Sequence, residues 1–230
     1  FSTVRPDGLS HAPSVVTRLF MPDLAAMVAA VTLIYCLFVF GGGEQFFRDS
    51  DSGWHIRSGE WILAHGALPE REPYSFSKSA QPWFLWEWGS DVLMSLAYRL
   101  DGLRGVTALV AAALAACSWM WCRLNFAAGG DFFLTALLAP LMVTTTSLHW
   151  LARPHVFSWL FLLGALLYTE FRSEAAPSRF NWAQMAAIFA VTAVWANMHA
   201  SFIFAPAIAC IYAASHFVRP LLWPLESRTE

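Results

Sequence analysis

The sequence predicts an all-α fold: a polytopic bundle of about six transmembrane helices, with one large outer loop carrying two helices on the membrane surface. Three observations predict it. First, 57% of the 230 residues are hydrophobic and 13% are charged, where a soluble domain carries roughly 25% charged residues. Second, the charges leave intervals of about 20 apolar residues, the length that crosses a bilayer as a helix. Third, if six of these intervals cross, the Arg residues of the short connections, Arg153 excepted, gather on one side, as the positive-inside rule requires.

No charge falls within 24–43, 105–122, 132–152 or 154–169. The run 180–218 is also free of charge and is twice the length of one span. Asn197, His199 and Ser201 at its midpoint predict a tight turn. The spans then read 22–41, 105–123, 132–148, 155–170, 182–198 and 201–218, within a single transmembrane domain over 1–230. The first is long enough to act as an uncleaved signal anchor. Residues 86–100 are ambiguous: apolar on one face, they carry Glu87, Asp91 and Arg99. If they lie on the surface, Arg123, Arg172, Arg179, Arg219 and Arg228 share the cytoplasmic side with Arg5 and Arg18, and both termini are cytoplasmic. If they cross, Arg123, Arg172, Arg179, Arg219 and Arg228 move outside. The Arg count favours the surface helix.

Residues 42–104 are then one outer, periplasmic loop. Asp51 or Ser52 caps a helix that ends at Gly66. Its Trp54 and Trp61, seven residues apart, suit the membrane interface. Pro69, Pro73 and Pro82 make 67–83 an extended loop, and the surface helix 86–100 follows. The 14 basic and 16 acidic residues leave a formal charge of −2, which excludes a nucleic-acid partner. Cys36, Cys117, Cys122 and Cys210 lie in apolar runs without a CxxC pair and read as small buried residues.

This topology collects the polar residues near the span ends on the outer side. Asp49, Asp51, His55 and Glu87 lie in the large loop, with His149, Arg153 and His155 at the turn between spans three and four. Asn197 and His199 lie at the turn between spans five and six. Ionisable groups at membrane depth are costly and point to function. Asp49 and Asp51 form a D-x-D pair suited to holding a divalent cation, Mg or Mn, or to supplying a general base. The plain alternative is a solvated loop start with a helix cap. His55 is one turn beyond Asp51 on the same face. Pro154 sets Arg153 at a helix start, where guanidinium and helix dipole both favour an anion such as phosphate; an interfacial anchor is the alternative. Asn197 and His199 offer neutral hydrogen-bonding groups, or simply satisfy their own turn. Haem is disfavoured, because only His155 and His199 approach one depth, and that near the surface.

Asp49-Ser50-Asp51-Ser52-Gly53-Trp54-His55, Gly59-Glu60-Trp61-Ile62-Leu63, His65-Gly66, Pro69 and Pro73-Tyr74-Ser75-Phe76 together resemble bacterial polytopic proteins of the GT-C glycosyltransferase superfamily. So do Pro82-Trp83, Trp86-Glu87-Trp88, Arg153-Pro154-His155 and Trp195-Ala196-Asn197-Met198-His199. The resemblance spans about residues 22 to 218. It implies a multi-pass enzyme of the bacterial inner membrane that uses a polyprenyl-phosphate-linked sugar. It also implies an acidic residue in the first outer loop, Asp49 or Asp51 by position, acting as base or metal ligand. His55, Glu87, Arg153, His155, Asn197 and His199 would bind substrate. GT-C enzymes continue through further helices, so a second expectation stands beside the first. It is a truncated GT-C-like module that serves as a non-catalytic scaffold and contacts lipid or other membrane subunits through its 12 Trp and 19 Phe.

Overall fold

A computed structural model describes residues 23–77, 81–173 and 181–222, and every regular element among them is helical. Helix α1, Leu24–Ile34, is capped by Asp23, whose carboxylate accepts from Ala26 N–H at 2.8 Å. It runs into a π-helical turn, Tyr35–Val39, then bends by 88° into a 3-10 helix, Gly41–Phe47. The expected uninterrupted span over 22–41 is thus broken at its end. The cause is local: Gly41, Gly42 and Gly43 have φ of 58, 61 and 88°, a region that glycine enters at little cost. Gly43 also has no room for a side chain, since a Cβ there would sit 2.3 Å from Thr107 Cγ2.

Helix α2, Asp51–His65, ends at Gly66 in the left-handed conformation, as expected. Its N-cap is Ser50, with no side-chain bond, rather than Asp51 or Ser52; Asp49 instead accepts from Asp51 N–H at 2.9 Å. The proline-rich loop turns back on itself through an Arg71–Pro82 bridge. Helix α3, Trp88–Ala127, is broken at Asp101 and Gly102 into halves 88–100 and 103–127. The first half coincides with the segment expected as a surface helix, 86–100, and the second with the segment expected as a span, 105–123. The halves fold closely at the break, where a Cβ on Gly105 would meet Ala97 O at 2.0 Å.

Helix α4, Phe132–Thr146, is capped by Asp131 and continues into a 3-10 turn, Ser147–His149. Helices α5, His155–Ser173, α6, Trp182–Met198, and α7, Phe204–Leu222, follow. The turn expected after 198 is a short 3-10 helix, Ala200–Ile203. Among the described residues two stretches, Trp88–Ala127 and Phe132–His149, are long and apolar enough to cross a membrane, and the bent pair Leu24–Val39 and Gly41–Phe47 makes a third if it is one span. Three shorter apolar helices, His155–Phe171, Trp182–Met198 and Ala200–Ser215, accompany them. These lengths and compositions mark a helical membrane protein. Of the Arg residues used to orient it, Arg5, Arg18, Arg179 and Arg228 lie outside the described residues.

The core joins the first bend to α3 and α5. Phe46, Met94, Val106, Val110, Trp150 and Val156 are buried together. Phe40 packs edge-on against Trp150, with ring centroids 5.7 Å apart. Ala152 N–H donates to Phe46 O at 2.9 Å, tying the α4–α5 connection to the bend after α1.

Candidate functional site

The Phe46–Ala152 bond sets Asp49 and Asp51 against Arg153. Arg153 Nη2 pairs with Asp51 Oδ2, and Nη1 lies 3.4 Å from Asp49 Oδ2. Arg48 reinforces the junction by donating to the Leu148 carbonyl within the Ser147–His149 turn. Arg153 Nε is buried without a hydrogen-bond partner. The guanidinium therefore stands before α5 with two carboxylates as internal counter-ions.

A second group assembles where α2 meets α3. Gly59 allows the approach: a Cβ there would lie 2.0 Å from Asp91 O. This contact places His55 beside Asp91, with Nδ1 and Oδ1 2.7 Å apart. His55 is buried and Asp91 is fully buried. The Trp54 ring covers the imidazole at a centroid distance of 3.7 Å. The start of α3 is fixed against the end of α6 by Trp88 Nε1–H donating to Asn197 Oδ1 at 2.6 Å and Ser90 Oγ–H donating to Met198 O at 2.7 Å. Glu87 is thereby held between two histidines, with Oε2 3.9 Å from His55 Nε2 and Oε1 3.4 Å from His199 Nε2. His199 Nδ1 accepts from Ser201 N–H at 3.1 Å, so in the neutral ring Nε2 carries the proton and points at Glu87. Burial pushes the Glu87 carboxyl above the usual carboxylate range, against the opposing pull of His55. Burial pulls the His199 imidazole below its usual range, and the neighbouring His55 adds to the effect.

Asp51, His55, Glu87, Arg153, His155 and His199 line one cavity of about 400 Å³, together with Trp54 and His149. Asp49 joins it through Arg153. His155 Nε2 is 2.7 Å from the His149 carbonyl. Asn197 stands apart: its amide locks Trp88 and lines a neighbouring cavity of about 860 Å³, whose walls include Trp83, Phe84, Trp86 and Phe202. Trp54 of the polar cavity meets Trp83 of the aromatic one edge-on at 6.0 Å.

A divalent cation at the D-x-D pair fits poorly, because both carboxylates already face a guanidinium. Among the described residues no group of three or more His, Cys, Asp or Glu side chains is arranged to hold a metal. Asp91 and Trp54 are site residues that the sequence reading passes over. The signal for Asp91 is its i,i+4 spacing from Glu87, which puts both on one face of the surface helix. Comparison with known protein families, with curated proteins and with solved structures finds no match for the chain.

Proposed function

We propose that the chain is a GT-C-like membrane glycosyltransferase, moving a sugar from a polyprenyl-phosphate donor at the outer face of a bacterial inner membrane. In this reading six segments cross the bilayer, both termini are cytoplasmic and 42–104 is periplasmic. One observation carries it: Arg153, held by Asp49 and Asp51, opens onto a cavity also lined by His55, which Asp91 holds from behind. A guanidinium at a helix start binds a phosphate through two parallel N–H bonds. An arriving phosphate displaces a carboxylate from Arg153, and the same cavity offers groups that accept the proton of an attacking hydroxyl. The aromatic cavity next door suits the apolar part of a lipid donor.

The test is transfer by the full chain in proteoliposomes supplied with labelled polyprenyl-phosphate sugars. The expected result is transfer by the wild type, with donor binding lost in Arg153→Lys, since an ammonium cannot reproduce the two-pronged contact. No transfer and no donor binding would overturn the reading.

A second reading, a non-catalytic scaffold, draws on a different observation. Helix α6 buries Trp195 alone among its residues, with Phe189 76% and Val191 55% exposed. Such a surface faces lipid or other membrane subunits. A scaffold tolerates Arg153→Lys, because a lysine also reaches the headgroups.

A further inference from the structure

The proposed transfer needs a proton acceptor, and the D-x-D pair is the obvious source. Its geometry argues otherwise. Asp51 is engaged by Arg153, and freeing it requires an anion to take over the guanidinium first. His55 has no such competitor. Its Nδ1 is 2.7 Å from Asp91 Oδ1. Burial raises the Asp91 carboxyl and the contact with His55 lowers it; with Asp91 ionised it only accepts, so Nδ1 carries the proton and Nε2 carries the lone pair. That nitrogen is on the cavity side, 3.9 Å from Glu87 Oε2, which is beyond hydrogen-bonding distance and leaves the lone pair uncommitted. Asp91 is fully buried and, among the described residues, its second oxygen has no hydrogen-bond partner, which leaves the imidazole as its polar side-chain contact there. A buried carboxylate of this kind earns its place by orienting a histidine and stabilising the imidazolium.

We propose that His55 is the proton acceptor of this cavity, held by Asp91 as the Nδ1–H tautomer, and that Asp51 is the counter-ion of Arg153. The substrate in this proposal rests on the transferase reading; the tautomer does not. In the transfer step the acceptor O–H bond breaks and its proton forms an N–H bond at His55 Nε2. The acceptor oxygen bonds to the anomeric carbon. The bond from that carbon to the donor phosphate breaks, and its electron pair stays on the phosphate oxygen beside Arg153. The imidazolium then lies between Asp91 and Glu87. Glu87 passes the proton out of the cavity as His55 returns to neutral. The groups facing His55 are Asp91 and Glu87 from the start of α3, His199 from the α6–α7 connection and Trp54 from its own helix.

The decisive measurement is nitrogen NMR of the full chain, labelled with 15N-histidine and held in lipid nanodiscs. The His55 signals are those lost in His55→Gln or, should that variant not fold, those shifted when Trp54→Leu removes the covering ring. The expected result is a neutral His55 protonated at Nδ1, with that preference lost in Asp91→Asn. A neutral His55 protonated at Nε2 overturns the proposal. In the transfer assay, His55→Gln and Asp91→Asn should lower kcat by roughly 10²–10⁴ with donor KM unchanged, whereas Asp51→Asn, which removes a counter-ion of Arg153, should act on donor KM more than on kcat. A kcat loss in Asp51→Asn equal to that in His55→Gln also overturns it. A wild-type chain that transfers nothing overturns the transferase reading, and the tautomer then decides the dyad by itself.

Discussion

At the scale of single residues, the charged groups of the site stand in pairs, Arg153 with Asp49 and Asp51, and His55 with Asp91. Arg153 is balanced inside the protein, so any anionic ligand competes with Asp51 for it. Removing that competitor should strengthen anion binding. Partly exposed ion pairs contribute about 0–1 kcal/mol, so Asp51→Asn should tighten the dissociation constant for inorganic phosphate by up to roughly fivefold, as read by titration at constant ionic strength. Weaker binding would mean that Asp51 itself contacts the ligand. Glu87 makes a second prediction. Burial raises its pKa above the usual carboxylate value, so across the interval between the two the folded state holds a proton that the unfolded chain has released. Stability therefore falls as pH rises through that interval. Glu87→Gln removes this dependence, and its melting temperature relative to wild type should climb as pH is raised from 4 to 7. A difference that stays flat with pH would show that Glu87 is not desolvated. Arg153 and the two Asp residues are legible in the sequence, because a charge that interrupts an apolar run must find a partner. For Asp91 the spacing from Glu87 shows the shared face but not the partner: its pairing with His55 depends on how α2 and α3 are set against each other, which a single sequence does not reveal.

At the scale of elements, the geometry of the site depends on a few glycines. Charge-free runs and caps read directly as helices, so α2 and α4–α7 begin within a few residues of where the sequence puts them. The bends are harder to read, because hydropathy does not change there: Phe38 and Val39 are as apolar as the helix before them, while the turn is decided by backbone freedom at Gly41–Gly43. Glycines within one helix also differ in consequence. Gly59 has Asp91 O where a Cβ would be, at 2.0 Å, whereas Gly53 has nothing within 4 Å. Gly59→Ala must push α2 away from α3 and should cost about 1–3 kcal/mol. Gly53→Ala should be neutral or stabilising by up to about 1 kcal/mol, through helix propensity. Thermal unfolding of the two variants in detergent checks this, and equal melting temperatures would refute the close packing. Gly59→Ala should also separate His55 from Asp91, so the damage should appear in the histidine tautomer as well as in stability.

At the scale of the whole molecule, the cavity can exist only if the first loop, the α4–α5 turn and the α6–α7 turn lie on one side of the membrane. The sequence reaches that arrangement from its Arg residues, and the structure joins the same three segments through Asp51–Arg153, Phe46–Ala152 and Glu87–His199. The crossing that matters most is α3. If only 103–127 spans, the break at Asp101–Gly102 lies outside with the cavity and Ala128 lies inside. If 88–100 and 103–127 cross together as one continuous span, Ala128 still lies inside but the break falls within the bilayer. An exposed ion pair between Asp101 and Arg104 at 3.0 Å argues against the second arrangement, since charges within hydrocarbon are costly even when paired. Asp101→Cys and Ala128→Cys, each in a background without the native cysteines, should therefore label differently with an impermeant thiol reagent. In right-side-out vesicles Asp101→Cys should react at once, and Ala128→Cys only after permeabilisation. Protection of Asp101→Cys under both conditions would place the break in lipid, and the surface helix with its Glu87 and Asp91 would then have to be reassigned as part of a span.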